Sequence, residues 1–265
     1  MPPFQVSRMV RPPAIDNKVV EKSLPASNVP FLVCVEGNIA AGKSELLSWY
    51  NMYNGVTVMK EPINLWTDFR SYNLLDLKYQ DRLGKKGYEM SFQVLANMTR
   101  YKQLEETYGT MDVRMIERSP QSGTLVFADR ARRHGSLSNL NFEIICEFNK
   151  ILSNGPYREM VTPDLVVYLD AAPEICYRRI RERGRPEEKN LSVYDLRDLH
   201  FSHELWLEST HIRCPVLRLK NDGAVGSEVD LMPEINRKIL EIRNRKKARM
   251  EQEANGAVRA PPAEQ

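Results

Sequence analysis

The chain has 265 residues, and 42% of them are apolar, enough for a sizeable folded core. Lysine and arginine total 38 against 35 acids, a net charge of +3, too small an excess to imply a polymeric nucleic-acid partner. No run reaches the ~20 consecutive apolar residues of a spanning helix, which excludes an integral helical membrane protein; the four cysteines form no CxxC pair, which fits a reducing compartment better than a disulfide framework or zinc site.

In chain order, residues 1–30 carry six prolines and little periodicity, and read as a mobile N-terminal arm. Residues 1–15 hold Arg8, Arg11 and no acid but also no apolar segment of secretory type, so the expected compartment is the cytoplasm, with the mitochondrion second. Strands are expected at Phe31–Glu36, Val56–Lys60, Met111–Glu117, Leu165–Asp170 and Val216–Leu219. Helices are expected near 43–53, 71–83, 90–108, 121–133, 139–153, 173–183, 191–210 and 233–250. This alternation predicts an α/β fold, a parallel sheet flanked by helices, in one domain over 31–250. Residues 251–265 read as a disordered tail.

The strongest signal follows the first strand. Gly37, Gly42, Lys43 and Ser44 satisfy G-x-x-x-x-G-K-[ST], with Asn38, Ile39, Ala40 and Ala41 between the glycines. Backbone N–H groups of such a loop turn inward around a phosphate, and the following helix adds its positive N-terminal end. Lys43 should meet the β and γ phosphates, and Ser44 should hold Mg2+. Nucleoside triphosphate binding is the firmest expectation. A guanine-reading N-K-x-D is absent, since Ile151-Leu152 follow Asn149-Lys150, which argues against a GTPase.

Ligands of open parallel sheets bind beyond the carboxyl ends of the strands. Glu61, fixed by Pro62 at the end of the second strand, is placed to take a proton there, or to be a solvated acid. Glu117 and Arg118 end the third strand, and alone would fit a surface ion pair as well as a metal-side acid beside a phosphoryl-side cation. The helix after the fourth strand carries Arg179, Arg181, Arg183 and Arg185 before Gly184 and Pro186 break it. These arginines form either a flap over phosphates or a solvated basic face balanced by Glu182, Glu187 and Glu188.

Together, GNIAAGKS, KEP with Trp66, NLLDLKY ending at Tyr79, Phe92-Gln93, the ERS of 117–119 and RERGRPEE at 181–188 resemble the deoxyribonucleoside kinase family over about residues 31–220. The resemblance implies a P-loop kinase with a five-stranded parallel sheet and an arginine-rich LID at about 181–190. It implies a homodimer that transfers the γ-phosphoryl group of ATP, with Mg2+, to a deoxynucleoside 5′-hydroxyl. By the same resemblance Glu61 is the base, Arg118 its orienting partner and Glu117 the metal-side acid. Tyr79 and Glu188 hold the sugar 3′-hydroxyl, and Gln93 reads the base edge. Ile63, Trp66, Phe92 and Phe127 wall the base, while Arg179, Arg183 and Arg185 touch ATP.

Three departures stand out. The Tyr79–Gln93 interval is three residues longer than the family spacing and holds Gly84-Lys85-Lys86-Gly87. Lys78 replaces an apolar residue. Arg100, as in cytidine/guanosine-preferring members, lacks its acidic companion, whose place is taken by Gly123, so base preference stays open. His200 and His203 lack a third ligand close in sequence and read as packing or capping groups, and the basic run 243–249 as a solvated helix face. Two other readings share the phosphate loop: a nucleoside monophosphate kinase of thymidylate-kinase type, and a non-catalytic subunit. An acid at 61 favours a neutral acceptor over the first. An intact Lys43, Ser44, Glu61, Glu117 and Arg118 argues against the second.

Overall fold

Phe31–Gly37 (β1) is apolar up to Glu36, and all seven residues are buried. Such a strand needs cover on both faces, which a parallel sheet between helix layers supplies. The computed structural model describes residues 31–81, 83–108, 113–155 and 157–258. The arm expected at 1–30 lies outside them, as do 111–112 of the third expected strand and 259–265 of the tail. β1 is joined by Val56–Met59 (β2), Val113–Glu117 (β3), Leu165–Asp170 (β4) and Val216–Lys220 (β5). All pair in parallel, in the order β2-β3-β1-β4-β5.

The helices are α1 (Lys43–Tyr50), α2 (Ile63–Thr67), α3 (Leu74–Gln80), α4 (Tyr88–Glu106), α5 (Pro120–Ser122), α6 (Asp129–Arg133), α7 (Asn139–Asn154), α8 (Arg158–Val161), α9 (Pro173–Arg183), α10 (Val193–Leu207) and α11 (Met232–Val258). The sequence pattern misses α2 and α8, which are too short to show a 3.6-residue period. The helix expected at 121–133 is divided by a π-helical stretch, Gly123–Ala128, between α5 and α6. α3 is shorter than expected because Asn73 accepts the Asp76 N–H at 2.9 Å and starts the helix there. α11 runs on to Val258, past the expected end at 250 and into the segment read as a tail.

Alternation along β1 divides the core. Val33 and Val35 pack with Leu46, Leu47, Val167 and Ile235 on the face covered by α1, α9 and α11. Leu32 and Cys34 pack with Leu104, Ile116 and Val161 on the other. The strand order sets the ends of β2, β3 and β1 side by side, with Val35 opposite Glu117 and Met59 opposite Ile116. The phosphate loop, the Glu117-Arg118 pair and Glu61 therefore emerge along one rim.

Leu46, fully buried between α1 and the sheet, tests this core. Leu46→Ala should lower unfolding stability by about 2–5 kcal/mol in chemical denaturation, through lost burial and a residual cavity.

Candidate active site

The loop between β1 and α1 folds around the Lys43 ammonium, whose Nζ donates to the carbonyls of Asn38 (2.8 Å) and Gly37 (3.3 Å). Gly42, at φ +95°, starts α1 in a left-handed conformation; a Cβ there would lie 2.4 Å from Asn221 Nδ2, so only glycine fits. The loop is braced from behind. Asn221 Nδ2 donates to the Ala41 carbonyl (2.8 Å) and, more weakly, to the buried Glu228 (3.3 Å), and Asn38 Nδ2 donates to the Leu196 carbonyl (2.8 Å). Arg179 is expected as a flap contact to ATP, and the structure ties it to backbone carbonyls. It is buried, and its guanidinium donates to the carbonyls of Ala40, Asn221 and Gly223 at 3.2, 3.0 and 2.7 Å. Those bonds turn it toward the back of the loop, where it anchors the loop backbone. Asn221 and Glu228 carry no sequence signal, because bracing a loop from a distant segment leaves no local motif.

On the phosphate side, Ser44 Oγ lies 3.0 Å from both Glu117 carboxylate oxygens, and Lys43 Nζ is 4.0 Å from the nearer. Burial and the adjacent Arg118 push the Lys43 pKa down to about 8, against the opposing pull of Glu117, Glu61 and Glu36. Glu61 Oε1 lies 2.6 Å from Arg100 Nη2 and 3.2 Å from Arg118 Nε. Burial disfavours its charge, but Arg118, Arg100 and Lys43 outweigh that and hold its pKa below the usual carboxylate value.

Arg118 itself is strained, with φ +65° in a residue bearing a side chain. Its N–H donates to Val35 O (3.0 Å), Nη1 donates to Gly37 O (2.9 Å), and the guanidinium lies 4.4 Å from the Phe127 ring centroid. Ser119 next to it donates both N–H and Oγ–H to Glu36, each at 2.8 Å. Burial raises the Glu36 pKa, with Arg118 and Ser119 opposing. Glu36 thus anchors the turn carrying Arg118, a role hidden inside the apolar pattern of β1.

These groups line a cleft of about 400 Å³. Ile63, Trp66, Phe92 and Phe127 form its apolar walls, Trp66 and Phe92 meeting edge to face at 5.5 Å. Trp66 Nε1 donates to Thr99 Oγ1 (3.0 Å), and Gln93 Nε2 to Glu89 Oε1 (2.8 Å), so the Glu89 carboxylate fixes which end of the Gln93 amide faces it. Lys78 holds its ammonium 4.4 Å from the Phe92 centroid and 4.9 Å from that of Tyr79. Beside α3, whose Asn73 Nδ2 donates to Glu187 Oε1 (3.0 Å), Glu188 binds Arg183 (2.7 Å) and lies 3.5 Å from Arg185. Of the expected site residues, Ile39, Ala40, Ala41, Gly42, Lys43, Ser44, Glu61, Tyr79, Arg100, Glu117, Arg118, Gly123, Arg183, Arg185 and Glu188 line this cleft with the apolar wall and Gln93. Gly37, Asn38 and Arg179 stand behind it.

The histidines fall where packing would put them. His203 is fully buried, has Nδ1 2.8 Å from Leu199 O and meets the Phe127 ring edge to face at 5.8 Å. His200 comes near Asp170 and Glu204, but Lys220 (2.9 Å from Asp170) and Arg218 (2.6 Å from Glu204) already match those charges.

A strand-loop-helix phosphate cradle and a paired carboxylate on one rim define a phosphotransferase cleft. The profile of the deoxynucleoside kinases matches residues 33–241. The chain belongs to the deoxynucleoside kinase family. It is 31% identical over 248 residues to human mitochondrial thymidine kinase 2, covering 92% of this chain and 88% of that one. A probable deoxycytidine kinase of fowlpox virus is 32% identical over 198 residues, with 72% and 79% covered. Mitochondrial deoxyguanosine kinase of Xenopus laevis is 30% identical over 230 residues, with 74% and 85% covered. The protein is an ATP-dependent deoxynucleoside kinase of nucleotide salvage, a reading favoured over the monophosphate-kinase and non-catalytic alternatives. Among the described residues no helix is long and apolar enough to cross a membrane.

Lys43→Met removes the ammonium from the kinase's phosphate loop. Its turnover in a coupled ADP-release assay should fall by about 10²–10³, the usual loss when one charge-stabilising donor is deleted.

Proposed function

We propose that Glu61 is the group that receives the 5′-hydroxyl proton of the deoxynucleoside, with Arg118 and Arg100 fixing its carboxylate. The observation that carries this reading is Glu61 Oε1 gripped by two guanidiniums, in the same cleft as Lys43, Ser44 and Glu117. Phosphoryl transfer passes through a loose transition state, so the attacking oxygen needs alignment more than early deprotonation. A carboxylate kept ionised by two arginines supplies that alignment and takes the proton late. Lys43 and the loop N–H groups meet the charge on the transferring oxygens, and Arg118, seated on Phe127, faces the same point.

Ser44 and Glu117 present hydroxyl and carboxylate oxygens together, the donor set that suits Mg2+. When bound there, the ion would neutralise charge on the β and γ phosphates. Tyr79 and Glu188 line the wall assigned to the sugar 3′-hydroxyl, and Gln93, oriented by Glu89, faces the base edge. Arg183 and Arg185 belong to a LID at about 181–190, a role supported by the Arg183–Glu188 ion pair across the Gly184 break and the Arg185–Glu188 pair beyond it.

A homodimer is supported by α7, whose outer face exposes Leu140 (71%), Ile144 (48%) and Ile151 (68%) in one apolar stripe. The mitochondrion is favoured as compartment by the mitochondrial names of two relatives and the acid-free, arginine-bearing residues 1–15.

Glu61→Gln should cut kcat by about 10²–10⁴ while ATP affinity by calorimetry stays close to wild type; unchanged kcat would remove Glu61 from the chemistry. Leu140→Glu combined with Ile144→Glu should shift the sedimentation mass from dimer to monomer.

A further inference from the structure

The Gln93 amide is held in one orientation. Glu89, one turn earlier on α4, is 5% exposed and its carboxylate only accepts, so the 2.8 Å bond from Gln93 Nε2 has a fixed direction. Turning the amide over would set two acceptor oxygens against each other in a buried place and lose a hydrogen bond to a charged group. Nε2 keeps a second N–H, and among the described residues Oε1 is paired with no donor. The amide therefore offers the cleft one donor and one acceptor in a fixed order.

Lys78 gives that order its direction. With Tyr79 it stands on the boundary between the main cleft and a second cavity of about 200 Å³, which Glu89 also lines. Nε2, turned to Glu89, is thus turned to the Lys78 and Tyr79 side, and Oε1 to the other. The Lys78 ammonium rests against the Phe92 and Tyr79 rings and has, among the described residues, no hydrogen bond or ion pair. From the Tyr79 side onward the wall presents donor, donor, acceptor: Lys78 Nζ, Gln93 Nε2, Gln93 Oε1.

Base edges differ in that order. Tyr79 is assigned to the sugar, so the Lys78 end meets the part of the base next to the glycosidic nitrogen. Read from there, cytosine offers carbonyl O2, ring N3 and the 4-amino group: acceptor, acceptor, donor. Thymine offers O2, an N3–H and O4, so its N3–H meets Nε2 and its O4 meets Oε1. A freely turning amide would match either base. We infer that Glu89 is a specificity-determining residue: by pinning Gln93, with Lys78 as a further donor, it selects deoxycytidine over thymidine. The inference rests on Gln93 facing the base edge. Discrimination here comes from the mismatch imposed on thymine as much as from the bonds offered to cytosine. It also accounts for Lys78, a cation without an acceptor until a pyrimidine O2 supplies one.

Steady-state kinetics on the full chain, with each deoxynucleoside varied at saturating ATP-Mg, tests this. Deoxycytidine should exceed thymidine in kcat/KM by about tenfold, the worth of one hydrogen bond to a charged group. Glu89→Gln keeps the shape but can both donate and accept, which frees the Gln93 amide. Thymidine kcat/KM should then rise about tenfold and the preference should collapse, a gain that damage to the fold does not produce. Lys78→Met should cost both pyrimidine nucleosides about fivefold more than deoxyadenosine, which has no O2. A wild type that takes thymidine as well as deoxycytidine, a Glu89→Gln that scales every nucleoside alike, or equal losses for all three in Lys78→Met would overturn the assignment. If Glu89→Gln does not fold, the wild type still decides: 3-deazadeoxycytidine, with C–H in place of N3, should lose about tenfold against deoxycytidine, and equal efficiency would refute the inference. Gln93→Ala separates the two layers. Unchanged base preference in it would sink the reading of Gln93 itself; levelled preference there, without levelling in Glu89→Gln, would sink this inference alone.

Discussion

Charge balance in a nearly dry space is the constraint on which the cleft depends. Lys43, Arg100 and Arg118 are each almost wholly buried, as are Glu36 and Glu117, with Glu61 close beside them. An isolated charge at any of these places would be severely destabilising, and pairing offsets desolvation only where the geometry is good. The sheet supplies that geometry. Because β3 lies between β2 and β1, the acids at 61, 117 and 36 project from neighbouring strand ends. The cations reach them from α1, α4 and the turn after β3. The result is a preorganised field, in which dipoles and charges need little rearrangement to meet a transferring phosphoryl group.

Most of the scaffold was readable because its signals are local. The buried runs of β1 and β4, the glycine spacing before Lys43 and the helix start at Pro173 depend on neighbours in sequence. Glu61, Glu117 and Arg118 were ambiguous alone and gained meaning only from their order beside the phosphate loop. What the sequence hid is the bracing. Glu36, Asn221 and Glu228 act on backbone far away in the chain, and Arg179 sits in an arginine-dense stretch that reads as a flap but turns inward to carbonyls. The π-helical stretch at Gly123–Ala128 and the short α2 and α8 have no periodic signature.

Aromatic faces in the cleft are shared with cations. Arg118 covers Phe127 and Lys78 covers Phe92, so each of these rings presents a positive group together with its hydrocarbon surface. Burial pulls the Lys78 pKa down, with Glu89 opposing. The same Glu89 orients Gln93, so the lysine and the Gln93 amide answer to one carboxylate.

The longer interval between α3 and α4 is tied down at both ends. The Asp81 carboxylate accepts the N–H groups of Lys86 (3.0 Å) and Tyr88 (3.3 Å), and Gly84 packs so tightly on Ser136 that a Cβ there would lie 2.3 Å from its carbonyl oxygen. Extra length here works as a tether: it straps α3, with Lys78 and Tyr79, to the connection between α6 and α7. The strap reaches further still, because Asn73 at the start of α3 donates its Nδ2 to Glu187 Oε1 (3.0 Å), so the Pro186–Glu188 turn is moored to the same side of the cleft as Tyr79.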